Sequence, residues 1–490
     1  MNNEEILKTS KEYEDALKAM KSNIIKDKLL SKPYEDEDIQ RGRNVVSLSY
    51  EYARDPKYKD FMTVKSPING KVINRFNHIP LTKDDLRKKL KTIRTLALEV
   101  FCAQRCVGGD ALHALHIGTY QVDKSNKFKT DYHKRFLKYL RYIQDNDIAP
   151  AGAVTDAKGD RSLTPVQQEV KETNVYIEKE TSDGIYVSGV KTPITTSLYA
   201  EELIVLPGLQ YGEKDKDFAV AFAIPADAEG VERYVLGPEV TALKGEFSPS
   251  HGLKYLNKEG MIIFNNVFVP KERVFLCREY QFAAVFANLF ATLHRFSYTA
   301  CKPAVYENMA GAAMLVSDYN GTKGEYFLSN TSEKIFEIYK PSIIVRGMAQ
   351  AAVNSAQETE SGAIFPDSVF ANMGKYISSE CFHEAIRILQ DMSGGLPPNL
   401  PYENLVTDEK YRRQMKKLLT RKKGISIEDQ YKLNEFLRSL VASNEGGLLQ
   451  VGSKHGGGNK EAEKVAIYGN SLRRMSQCKK HVKKLIMENK

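Results

Sequence analysis

The 490-residue chain lacks most of the short patterns from which a function is read directly. It has no C-x2-C turn, the usual mark of a zinc site. There is no Walker sequence, and no G-x-G-x-x-G follows a strand, so neither common phosphate-binding loop is present. No motif of a DNA- or RNA-binding module occurs, and there is no internal repeat or extended low-complexity tract. The opening residues Met1 to Glu5 lack the apolar core of a signal peptide, and no apolar stretch is long enough to span a bilayer. Six cysteines in an intracellular chain of this length argue against a disulfide framework. These absences predict a cytoplasmic globular protein with no membrane or nucleic-acid partner.

What is present points to a folded chain with a small-molecule ligand. With 42% hydrophobic residues it can bury a substantial core, and its length suggests two or three domains or one composite unit. The formal charge of +9 is spread along the chain, which suits an anionic small ligand at least as well as nucleic acid. Basic runs such as Arg421-Lys422-Lys423 and Lys479-Lys480 read as solvated faces.

The hydrophobic period predicts an α+β protein in three parts: a helical domain over 1–149, a β-domain over 150–275 and a helical bundle over 276–490. In the first part, Thr82 caps a helix beginning with Asp84 and Asp85, continued from Leu86 to Val107. Further helices run over Asp110–Tyr120 and Tyr132–Gln144, with His113, His116 and His133 as packing or surface residues. The middle part predicts a hairpin around Ser182-Asp183-Gly184 and strands at Leu203–Leu206, Phe218–Phe222 and Met261–Phe264. Pro270 and Lys271 return the chain to helix. Pro341, Gly394-Gly395 and Pro397-Pro398 punctuate the last part, Ser426 and Asp429 start a helix over Ile427–Val441, and Gly456-Gly457-Gly458 makes a tight turn after His455.

Three cysteines and a histidine form the most informative constellation. Cys102 and Cys106 are four residues apart, His294 and Cys301 seven apart, and both spacings return to one face of a helix. Two facing helices would then gather three thiolates and an imidazole, donors soft enough for iron–sulfur or zinc and unsuited to calcium or magnesium. The competing reading makes them ordinary core residues. A loop of small and polar residues, Thr155 to Arg161, can offer backbone N–H groups, hydroxyls and cations to an anionic or heteroaromatic cofactor, or be a plain exposed turn.

Four segments together resemble the 4-hydroxyphenylacetate 3-hydroxylase family of flavoproteins, and within it the branch that dehydrates acyl-CoA thioesters. They are Cys102-Ala-Gln-Arg-Cys-Val-Gly108, Thr155-Asp-Ala-Lys-Gly-Asp-Arg161, Phe264-Asn-Asn-Val-Phe-Val-Pro270 and His294-Arg-Phe-Ser-Tyr-Thr-Ala-Cys-Lys302. The flavin loop and the 264–270 strand belong to the wider family; the Cys/His set marks the branch. The resemblance implies an acyl-CoA dehydrogenase-like fold, FAD and a 4Fe-4S cluster in each subunit, and a homotetramer. The implied reaction is dehydration of 4-hydroxybutyryl-CoA, or a related hydroxyacyl-CoA, to crotonyl-CoA by a transient radical route, with possible vinylacetyl-CoA isomerase activity.

By the same resemblance, Cys102, Cys106, His294 and Cys301 are the cluster ligands. Ala153, Val154, Thr155, Asp156, Lys158, Gly159, Asp160, Thr195, His455 and Gly456 are expected at the flavin. His294, Tyr298, Lys302, Glu259, Thr195 and Gln104 are the candidate catalytic residues. One position departs from the branch pattern, since Gly452 stands where the dehydratases have glutamate. Two other functions compete: an FADH2-dependent phenol monooxygenase, which needs no metal, and an inactive cofactor-binding paralogue.

Overall fold

The structure is a computed structural model and describes residues 5–125, 127–237, 245–247, 254–322 and 329–487. The N-terminal part carries α1 (Ser10–Ala19), α2 (Glu37–Arg54), α3 (Lys59–Met62), α4 (Lys83–Val100), α5 (Cys106–Lys124) and α6 (Tyr132–Asp145). Contrary to the helical expectation, it also holds short strands. β1 (Glu5–Ile6), β4 (Thr63–Lys65) and β5 (Val72–Asn74) make a small sheet, while β2 (Ile24–Lys26) and β3 (Leu29–Ser31) join a larger one.

That larger sheet belongs mainly to the middle of the chain, where β6 (Pro150–Ala153), β7 (Tyr176–Glu180), β8 (Gly184–Thr195), β9 (Glu202–Val205), β10 (Val220–Pro225), β11 (Val231–Val235), β12 (Glu259–Pro270) and β13 (Val274–Cys277) form two sheets. Their orders are β3-β2-β11-β12-β8-β7 and β13-β10-β9-β6. The predicted hairpin is β7–β8, and the antiparallel register of β12 on β8 sets Glu259 opposite Thr195. Lys271 begins a single 3-10 turn that leads into β13, so helix resumes only near Ala283.

The C-terminal part is helical: α7 (Ala283–Asn320), α8 (Asn330–Asn354), α9 (Ser368–Ser393), α10 (Glu403–Thr407), α11 (Glu409–Leu419), α12 (Ile427–Val441), α13 (Asn444–His455) and α14 (Lys460–Met487). Helix α7, 38 residues long, is the central element and packs against α4, α5, α8 and α9. Local chemistry sets several ends. Thr82 accepts from the Asp85 N–H while the Asp85 carboxylate accepts from the Thr82 N–H, and Ser426 accepts from the Asp429 N–H. Gly394 closes α9 at φ 68°.

Two further predicted boundaries differ. Pro341 lies buried inside α8 instead of ending it, because packing on α7 and α9 offsets the one backbone hydrogen bond that proline removes. The expected helix from Leu86 to Val107 is broken: α4 ends at Val100, Phe101 is left-handed at φ 62°, and residues 102–105 form a tight loop before α5. Arg105 accounts for the break. Its buried guanidinium leaves the helical path to meet Asp147 at 2.6 Å and Ser49 at 3.2 Å, and it stacks 4.2 Å from the Tyr50 ring centroid. Helix α5 then runs so close to β6 that a Cβ on Gly108 would lie 2.0 Å from the Pro150 carbonyl oxygen.

Candidate functional site

The break in the helix changes how the first two cysteines meet. Cys102 sits in the loop and Cys106 at the first turn of α5, so they do not share a helix face. His294 and Cys301 do share one face of α7. Ligand atoms of Cys106, Asp110 and His294 lie within 4.8 Å of one another.

Electrostatics show that the other two thiols are neighbours. Burial pushes the Cys106 thiol well above its ordinary value, and Asp110, Cys102 and Cys301 push the same way. Burial also pushes Cys301 up to about 12, against Lys302 and together with Cys102. The ionised forms of Cys106 and Cys301 are thus disfavoured without a cation to share. A cationic centre reverses that penalty, because bound thiolates need not hold their charge alone. The N-terminus of α5, at Cys106, adds the positive end of a 19-residue helix.

Asp110 is the residue that sequence reading missed. It is fully buried; its Oδ1 accepts from Lys89 Nζ at 2.6 Å and Ser297 Oγ at 2.9 Å, and its Oδ2 from His294 Nδ1 at 3.0 Å. Both oxygens are engaged, and Oδ2 holds the imidazole in place. With Nδ1–H fixed, Nε2 is the nitrogen left to bind a metal, the arrangement that carboxylate–histidine pairs give metal sites. Its position four residues after Cys106 was the available sequence signal. Phe290 stacks on the imidazole with ring centroids 5.6 Å apart.

One turn along α7, buried Tyr298 has Lys302 and Lys375 each 4.8 Å from its ring centroid, and its hydroxyl donates to the Gly452 carbonyl. Burial, then Cys301, Cys102 and Glu463, raise its pKa well above the ordinary phenol value, so the hydroxyl stays protonated and can donate a hydrogen bond. The glycine turn lies directly on these side chains. A Cβ on Gly456 would sit 2.9 Å from the Tyr298 hydroxyl, and one on Gly457 3.4 Å from the His294 ring. Exposed His455 ends α13 just before it. Gly452 has open space where a side chain would project.

Gln104, at φ 47°, is buried and held at both ends of its amide: the nitrogen donates to Asn257 and the oxygen accepts from Tyr199. Across the β8–β12 ladder, Thr195 Oγ1 donates to Glu259 at 2.9 and 3.0 Å. Burial raises Glu259 to about 7, with Thr195 opposing.

The predicted flavin positions separate into two kinds. Ala153 ends β6, and the Val154 and Thr155 carbonyls accept from Lys191 Nζ at 2.8 Å and the Thr192 N–H at 2.8 Å. Asp156 is buried in an ion pair with Lys191 at 2.7 Å, so its carboxylate holds the loop to β8. Lys158, Gly159 and Asp160 are exposed, the first two at positive φ; they are the part of the loop that can meet a cofactor.

Comparison with known proteins adds to this geometry. The N-terminal and C-terminal models of the 4-hydroxyphenylacetate 3-hydroxylase family match residues 9–276 and 283–487. The 4-hydroxybutyryl-CoA dehydratase/vinylacetyl-CoA-Δ-isomerase of Clostridium aminobutyricum is 35% identical over 86% of this chain and 88% of its own. An oxygen-tolerant archaeal 4-hydroxybutyryl-CoA dehydratase from N. maritimus superposes with a TM-score of 0.90 at 29% identity, covering 99% of this chain and 96% of that one. The FAD complex of an oxygenase component of 4-hydroxyphenylacetate 3-monooxygenase shares the fold, with a TM-score of 0.86 at 20% identity over 99% of this chain and 100% of that one.

Proposed function

The chain belongs to the 4-hydroxyphenylacetate 3-hydroxylase family, and from that membership we propose that it is a hydro-lyase converting 4-hydroxybutyryl-CoA, or a related hydroxyacyl-CoA, to crotonyl-CoA, with vinylacetyl-CoA isomerisation as a second activity. The observation that carries this reading is Cys106 beside an Asp110-held His294, with Cys102 and Cys301 near enough to act on the Cys106 thiol, in a chain 35% identical to a dehydratase of that name. A phenol monooxygenase has no use for such a donor set.

Cys102, Cys106, Cys301 and His294 Nε2 would hold a 4Fe-4S cluster. Lys158, Gly159 and Asp160, with Thr195, His455 and Gly456, would contact FAD. When bound, the cluster supplies a Lewis acid for a departing hydroxyl and the flavin a transient one-electron acceptor.

The chain's own groups supply the proton chemistry. The thioester acidifies the C2 proton, and Glu259, poised near neutrality, accepts it while Thr195 fixes the carboxylate. His294 has one free nitrogen, so it serves as ligand or as base and not as both at once. Tyr298, held protonated by burial, donates to substrate oxygen once it releases the Gly452 carbonyl. Lys302, buried beside that ring, offers positive charge to a developing enolate. Gln104 acts through Tyr199 and Asn257 by fixing the Cys102 loop.

No described helix is long and apolar enough to cross a membrane, and we assign the protein to the cytoplasm. Helix α14 leaves Val465, Tyr468, Leu472, Met475, Val482 and Ile486 exposed. This 3-4 spacing suits docking on a second copy, in keeping with a homotetramer.

Anaerobically purified protein should contain FAD, iron and acid-labile sulfide, and should turn over 4-hydroxybutyryl-CoA or vinylacetyl-CoA. Cys301→Ala should lose iron and turnover together while keeping its fold. Metal-free protein that hydroxylates a phenol would overturn the proposal.

A further inference from the structure

Most of helix α14 is exposed or partly exposed, and Glu463 is its one buried residue, with no exposure at all. Lys375 of α9, equally buried, places Nζ 3.0 Å from a Glu463 oxygen, yet no described residue gives either oxygen an aligned hydrogen bond. A buried ion pair is costly to desolvate, and an apolar pair of similar volume is often as stable or more so. Glu463 therefore does more here than attach a helix.

Its surroundings show what it holds. Lys375 Nζ also donates to the Lys454 carbonyl at 3.0 Å and to Ser379 Oγ at 2.5 Å. Arg295 donates from Nε to the Gly457 carbonyl at 2.8 Å and from Nη1 to Asn372 Oδ1 at 2.6 Å. Two buried cations, one from α9 and one from α7, thus bond the backbone of the 454–458 segment. Burial works against the charge of each, and Glu463 opposes that effect at both. That turn is the one laid against His294 and Tyr298.

We infer that Glu463, acting through Lys375 and Arg295, is a positioning residue that clamps the 454–458 turn over the candidate site. It acts at second hand, since its carboxylate reaches the ammonium and not the reacting atoms. The role of the turn in turnover rests on the proposed acyl-CoA chemistry, whereas the clamp itself does not.

Hydrogen exchange separates the two. The Gly456 and Gly458 amides are bonded to the Gly452 and His455 carbonyls at 2.9 and 3.0 Å. In Glu463→Gln, exchange at these amides should accelerate at least tenfold while α4 and α5 exchange as in the wild type. With the acyl-CoA substrate, kcat should fall about tenfold at unchanged KM and unchanged iron content, and Glu463→Asp should recover most of both. Wild-type exchange at Gly456 and Gly458 in Glu463→Gln overturns the clamp. If that variant unfolds, Lys375→Met/Glu463→Met removes both charges: a folded protein with a fast-exchanging turn supports the clamp, and a protected turn refutes it. A wild-type protein inactive on both thioesters defeats the proposed function and leaves the exchange result standing.

Discussion

Asp110 organises the site at the level of single side chains, because one buried carboxylate fixes an imidazole, an ammonium and a hydroxyl. Asp110→Asn keeps the shape but leaves Lys89 without its counter-charge and weakens the hold on His294. Iron affinity should fall by about 10–100-fold and stability by about 3 kcal/mol, read from iron per chain and the urea midpoint. Glu259 gives a pH test. Its folded value of about 7 stands above its ordinary 4.5, so between those values the folded chain holds a proton that the unfolded chain has released. The wild type therefore loses stability as pH rises through that window, and Glu259→Gln does not. The stability advantage of the glutamine variant should grow by about 2–3 kcal/mol from pH 5 to pH 8; thermal melts showing a constant difference would refute it.

Among the elements, α5 matters most, carrying Cys106 and Asp110 against both β6 and α7. Gly108→Ala should cost about 2 kcal/mol or more by overpacking against Pro150 and should lower iron content with it; an unchanged denaturation midpoint would contradict so close an approach. Element ends were legible wherever the signal is local, as with Thr82 and Asp85 or Ser426 and Asp429. The break before α5 was not. Cys-Ala-Gln-Arg continues a helical period, and the group that pulls the chain out of it, Asp147, lies 42 residues away from Arg105. The spacing of Cys102 and Cys106 presumed one continuous helix, which the break removes, and Pro341 misled because only packing shows that a proline can be accommodated.

For the whole molecule, the unpartnered face of α14 is the feature that a single chain does not explain. If it docks on a second copy, Tyr468→Glu/Leu472→Glu should reduce the assembly to a smaller species in light scattering, since two buried carboxylates at an interface have no solvent to stabilise them. An unchanged mass would remove α14 from the interface. The buried Glu463 lies on the same helix, so assembly and the clamp on the glycine turn share one element.

Sequence by itself determined the candidate donors and the family: three cysteines, a histidine and four motifs are properties of residue order and need no folding to be read. It also set the alternation of helix and strand, because periodicity and caps act within a few residues. Only the tertiary structure decided what those donors do. His294 is oriented by a carboxylate 184 positions away, Gln104 is held by Tyr199 and Asn257, and Lys375 and Glu463 enter the site from helices with no recognisable signature. Burial and electrostatics act through space, so their partners become visible only once the chain has packed.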